Sequence, residues 1–157
     1  QIVRDARIGQ IYEGANGIQA LDLVGRKIMR DGGGLMLELI AEMKTADVDE
    51  AYKAELIEAC DRLARSTQSI VARGKNDPHL PGAVSVDYLD MVGMTMCAWV
   101  WALMASRAPD DDFGVAKNAT ARYFYDRLLP KTLGLERSIE AEADAVMEMP
   151  QGLFSPA

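Results

Sequence analysis

Apolar residues recur every three or four positions along most of this chain, and no useful stretch shows the strict alternation of a half-buried strand. The period predicts helices nearly from end to end. Residues 1–10 read as the end of a helix whose start is missing, followed by a turn at Glu13 to Gly17. Ile18, Leu21, Val24 and Ile28 then trace one face of a helix running to about Arg30, with Asp22, Arg26 and Lys27 elsewhere on its circumference. Asp31-Gly32-Gly33-Gly34 closes it, because consecutive glycines end a helix and permit a sharp change of direction.

Beyond the glycines the helical signal strengthens. Leu35 to Met43 is a short apolar helix. From Val48 to Arg73, positions Tyr52, Leu56, Cys60, Leu63, Thr67 and Ile70 fall on one face, with acids at the start, Arg73 at the end and Gly74 as the stop. A loop with Pro78 and Pro81 leads to a helix capped by Ser85 and running to about Ser106. Its segment Met91 to Ala105 is apolar apart from Thr95 but too short for a membrane span, flanked as it is by Asp90 and Arg107. It reads as the buried central helix of a bundle. The acidic loop Pro109 to Asp112 precedes a helix from about Phe113 to Leu129, ended by Pro130, and a last helix spans about Leu133 to Met147. The fold class is all-α: residues 1–31 end one helical domain, and 32–157 form an up-down bundle of about four or five helices.

Composition narrows the function. With 49% apolar and 26% charged residues, 157 residues can build a real core. The net charge of −7 argues against nucleic acid or an anionic membrane as partner. It is uneven: residues 1–34 hold five Lys/Arg against four acids, which leaves −8 to the rest. Cys60 and Cys97 lack metal-type spacing and read as free core thiols, consistent with a reducing cytoplasm. No signal-peptide pattern precedes the first helix, and a start at Gln1 suggests a fragment of a longer protein.

One short stretch carries candidate chemistry. Glu13 stands beside Gly14, Ala15, Asn16 and Gly17, a turn that opens a helix and leaves backbone N–H groups free for a polar or anionic ligand. A carboxylate there can remove a proton while amides hold the oxygen that gains charge. The residues alone leave a second reading open, a solvated glutamate in a plain turn. Arg4, Asp5 and Arg7 read as ion pairs fixing the first helix. His79 stands alone in a Pro-rich loop, Trp99, Trp101 and Met91, Met94, Met96 and Met104 read as core, and no residues suggest a metal site.

Arg4 to Ile8, Ile11 to Gln19 and Ala20 to Lys27 closely resemble the C-terminal signature of the acyl-CoA dehydrogenases. Val86-Asp87-Tyr88-Leu89, Ala116 to Phe124 and Leu128-Leu129-Pro130 are similar to the helical domain appended in one branch, which includes broad-range bacterial and 3-methylmercaptopropionyl-CoA dehydrogenases. The resemblance implies an FAD-dependent enzyme that desaturates acyl-CoA thioesters and passes electrons to an electron-transfer flavoprotein. It implies Glu13 as the α-proton base and Gly14, Ala15, Asn16 and Gly17 as cofactor contacts, with Ala15 departing from the family's usual Thr. It further implies a homodimer or tetramer, and a fragment inactive without its N-terminal domains. A rival reading is a helical interaction module without chemistry of its own.

Overall fold

A computed structural model describes residues 1–10, 15–148 and 150–154. The described residues contain helices and no strand, in agreement with the all-α reading. Helix α1 (Ile2–Ala6) and a 3-10 turn (Arg7–Gln10) lead towards a rod formed by α2 (Ala15–Leu21), a wide π-type turn (Asp22–Ile28) and α3 (Met29–Asp31). The bundle follows with α4 (Gly34–Thr45), α5 (Glu50–Gly74), α6 (Leu80–Ser106), α7 (Asp112–Tyr123), a second π-type turn (Phe124–Leu128), α8 (Lys131–Ile139) and α9 (Asp144–Met147). Five of these helices, α4 to α8, make the expected up-down bundle.

Local chemistry sets the boundaries. Gly32 and Gly33 both take left-handed backbone, with φ of 67° and 79°, and a side chain at Gly33 would also strike Thr67 Cγ2 at 2.7 Å. The Asp31 carboxylate accepts from Gly33 N and Leu35 N, each at 2.9 Å, and so covers donors that the new helix cannot satisfy itself. Asp49 caps α5 by accepting from Ala51 N at 2.9 Å, and Asp111 caps α7 by accepting from Gly114 N at 2.9 Å.

Packing centres on α6, which touches α5, α7, α8 and the rod. The predicted face of α5 is the buried one: Leu56, Cys60, Leu63, Thr67 and Ile70 meet Val84, Tyr88 and Met91 of α6 in a single core. Within it Thr67 Oγ1 donates to Leu63 O and lies 2.8 Å from Tyr88 Oη. A hydroxyl has one proton to give, so Tyr88 donates to Thr67.

Several sequence expectations are corrected. Helix α6 begins at Leu80, not at Ser85, because Pro81 fits a first turn that needs no N–H and Asp77 Oδ1 accepts from His79 N at 2.9 Å. Ser85 is buried and donates to Gly82 O. The last helix breaks after Ile139, where the Arg73 guanidinium takes Ile139 O at 3.0 Å and Ala141 O at 2.7 Å. Gly74 is not a left-handed stop; its missing side chain makes room for Met29, whose Cε would otherwise lie 3.0 Å from a Cβ. On the rod, Ala20, Val24 and Ile28 are buried while Ile18 and Leu21 are exposed, so the core takes one edge of the predicted stripe. Cys60 is a core thiol, but Cys97 is exposed. Met91 alone of the four helix methionines is fully buried, with Met96 at the surface. Helix α1 is exposed throughout, and among the described residues Arg4, Asp5 and Arg7 form no ion pair.

Candidate functional site

Glu13 and Gly14, the predicted base and first cofactor contact, lie outside the described residues. The other three predicted site residues sit together at the start of the rod. Ala15 is half-buried, Asn16 and Gly17 are exposed, and the space around the Gly17 Cα is open to 4 Å. Expected in a turn before a helix from about Ile18, all three are instead helical already, within Ala15–Leu21, beside the exposed side chains of Ile18 and Leu21.

Two grooves flank the bundle that sequence reasoning did not foresee. One, of about 670 Å³, lies between the rod and α4, with an apolar floor that includes Leu23, Leu35 and Leu39 and a basic rim of Arg26, Lys27 and Arg30. Asp22 holds part of that rim through Arg26 at 2.6 Å and Lys27 at 3.6 Å. The signal available was the cluster Arg26-Lys27 and Arg30 on a helix whose neighbouring residues are apolar. The second, of about 550 Å³, lies between α6 and α7 beside Val100, Met104 and Phe113. There Lys117 Nζ sits 5.0 Å from the centre of the Phe113 ring and 5.6 Å from that of Trp101, a cation held against two aromatic faces.

The displaced titratable groups of the bundle are packing groups. Burial pushes the Cys60 thiol up to about 11 and the Tyr88 phenol to about 12, and it raises Tyr125, whose Oη donates to Ala98 O at 3.0 Å. A hydrogen bond to Asp61 raises Lys44. Among the described residues no three His, Cys, Asp or Glu side chains converge as metal ligands.

The sequence has counterparts among known proteins. A family described as "Acetyl-CoA dehydrogenase C-terminal like" matches residues 36–150, and the chain belongs to that family. The chain is 33% identical to the 3-methylmercaptopropionyl-CoA dehydrogenase of Ruegeria pomeroyi, over 94% of this chain and 28% of that protein. It is 26% identical to the broad-specificity linear acyl-CoA dehydrogenase FadE5 of Mycobacterium tuberculosis, over 98% of this chain and 29% of that protein. The chain therefore spans less than a third of the length of these relatives. No solved structure matches it.

Proposed function

We propose that this chain is the C-terminal part of an FAD-dependent acyl-CoA dehydrogenase. In this reading residues 1–31 close the dehydrogenase's helical domain, and residues 32–157 form an appended bundle. The supporting observation is the exposed stretch of residues 16–17 in α2, a rod held against α6, directly after Tyr12-Glu13-Gly14 in the sequence. Its residues suit a flavin dinucleotide: small side chains at Ala15 and Gly17 permit close approach, and the exposed Asn16 amide offers a donor to a diphosphate or ribose.

Glu13 is the base that takes the α-proton of the acyl thioester. The flavin, when bound, accepts the hydride from the β-carbon. Enclosure against an acyl chain would raise the Glu13 carboxyl towards the working pH, which suits a base. The exposed apolar residues Ile2, Val3, Ile8, Ile18 and Leu21 offer a surface for the remainder of the polypeptide. Electrons pass on to an electron-transfer flavoprotein, the enzyme works as a cytoplasmic homodimer or tetramer, and the isolated chain is inactive.

The deciding experiment uses the full-length protein. Glu13→Gln should retain FAD, seen by its absorbance, and lose α,β-dehydrogenation by at least about a hundredfold, the usual scale of a general base. Undiminished turnover would place the base elsewhere. A second reading, a helical interaction module, is favoured for residues 32–157 alone by the structural roles of their buried ionisable groups.

A further inference from the structure

The rod from Ala15 to Asp31 is held by the bundle along its length and at its far end. Its α2 and π-type turn touch α6, and Ala20, Val24 and Ile28 are buried there, at most 3% exposed. The far end meets the corner where α5 stops and α6 begins. Met29 reaches into a notch at Gly74: a Cβ at that glycine would lie 3.0 Å from Met29 Cε, 3.1 Å from its Sδ and 3.5 Å from Pro81 Cγ. Gly74 has no positive φ, so room rather than backbone freedom calls for glycine here. A methionine suits such a notch, because its unbranched thioether side chain fits irregular spaces. Just past the rod, a Cβ at Gly33 would strike Thr67 Cγ2 of α5 at 2.7 Å and touch Val71 Cγ2 at 3.6 Å. Nearer its start, Leu21 Cδ2 comes within 3.9 Å of a Cβ built at Gly82, in the first turn of α6.

These contacts act on one lever. The backbone is helical without a break from Ala15, through the π-type turn, to Asp31. At the rise of a helix, Met29 and Gly17 stand about 18 Å apart along it. Ala20 and Val24 lie between them, buried against the bundle. A rod pressed down at its middle and displaced at one end moves its other end in the opposite sense. That other end has no such seat: Asn16 and Gly17 are exposed, and among the described residues nothing lies within 4 Å of a Cβ built at Gly17.

We infer that Met29, seated in the Gly74 notch, is a positioning residue for the proposed cofactor stretch, setting the tilt of the rod on α6 and with it the place of Ala15, Asn16 and Gly17. The appended bundle then serves the dehydrogenase site through the rod, with no chemistry of its own. The inference rests on the reading of residues 15–17 as flavin contacts.

The test titrates FAD into the full-length apoprotein and follows flavin absorbance, with helicity checked by circular dichroism. Gly74→Leu fills the notch and displaces Met29. It should weaken FAD binding about tenfold or more while the helices stay formed. Adding Met29→Ala empties the space that the new leucine takes, so the double variant should recover most of the lost affinity. Gly74→Ala adds a single methyl and should act in the same direction more weakly, which keeps the test decisive if Gly74→Leu does not fold. Wild-type FAD affinity in the folded Gly74 variants would overturn the inference, and so would a loss that Met29→Ala does not relieve. Gly17→Leu adds bulk directly at the proposed contact and should weaken FAD binding by itself. If it does so and the Gly74 variants do not, the positioning role falls while the cofactor reading stands. If Gly17→Leu has no effect, residues 15–17 are not flavin contacts and both fall.

Discussion

At the scale of single residues, the core holds a polar contact that its apolar surroundings make consequential. Tyr88 is fully buried and gives its proton to Thr67, which gives its own to Leu63 O. Thr67→Val strands the phenol without an acceptor and should cost about 1–3 kcal/mol, whereas Tyr88→Phe loses only the bond, about 1 kcal/mol. Urea unfolding of both variants and the double variant gives the coupling directly. Cys60 and Tyr88 also set a pH dependence. Their unfolded values are 9.0 and 10.0, and their folded values about 11 and about 12. The unfolded chain sheds these protons first, so their contribution is complete below about pH 9 and is lost as pH rises through the folded values. The urea midpoint should fall between about pH 9 and 12, and Cys60→Ala should flatten the lower part of that fall.

At the scale of elements, the best-read helix was α5, whose predicted face is the buried face at Leu56, Cys60, Leu63, Thr67 and Ile70. Periodicity succeeds there because one helix side meets a continuous core and capping residues mark the start. It failed where another element decides the ending. Nothing in the run from Leu133 to Met147 announces that Arg73, some seventy residues earlier, will take two of its carbonyls. Nor does local sequence separate a glycine needed for its backbone, as at Gly33, from one needed for space, as at Gly74. Gly33 needs both. Gly33→Ala should therefore destabilise the fold by more than the roughly 1–2 kcal/mol of left-handed strain, read as a lowered melting temperature. Gly34→Ala, at a position without positive φ, is the control.

At the scale of the whole molecule, the all-α class and the family were legible from the sequence, while the grooves were not. Grooves arise between elements distant in sequence, and a periodic pattern records only that a face is apolar, not what covers it. The proposed site rests on a motif whose Glu13 and Gly14 lie outside the described residues, while Ala15, Asn16 and Gly17 follow one another in α2. If the remaining flavin contacts belong to the longer polypeptide, the purified 157-residue chain should be colourless and inactive towards acyl-CoA. A yellow preparation with flavin absorbance would show that these residues suffice to hold the cofactor.

The wide turn at Asp22–Ile28 bears on how this site tolerates change over time. There Met29 N bonds to Val24 O, five residues back, so the rod accommodates one residue more than a regular helix would in the same length. Such a turn is an insertion that the helix has absorbed rather than expelled. Removing one residue within it would close the bulge to a regular helix, with Ala15, Asn16 and Gly17 upstream and α3 downstream still facing as they do. The same deletion in a regular helix would instead rotate everything upstream by about 100°. The bearing of the proposed site is thus buffered against a change of one residue in length at this one segment, which does not touch it.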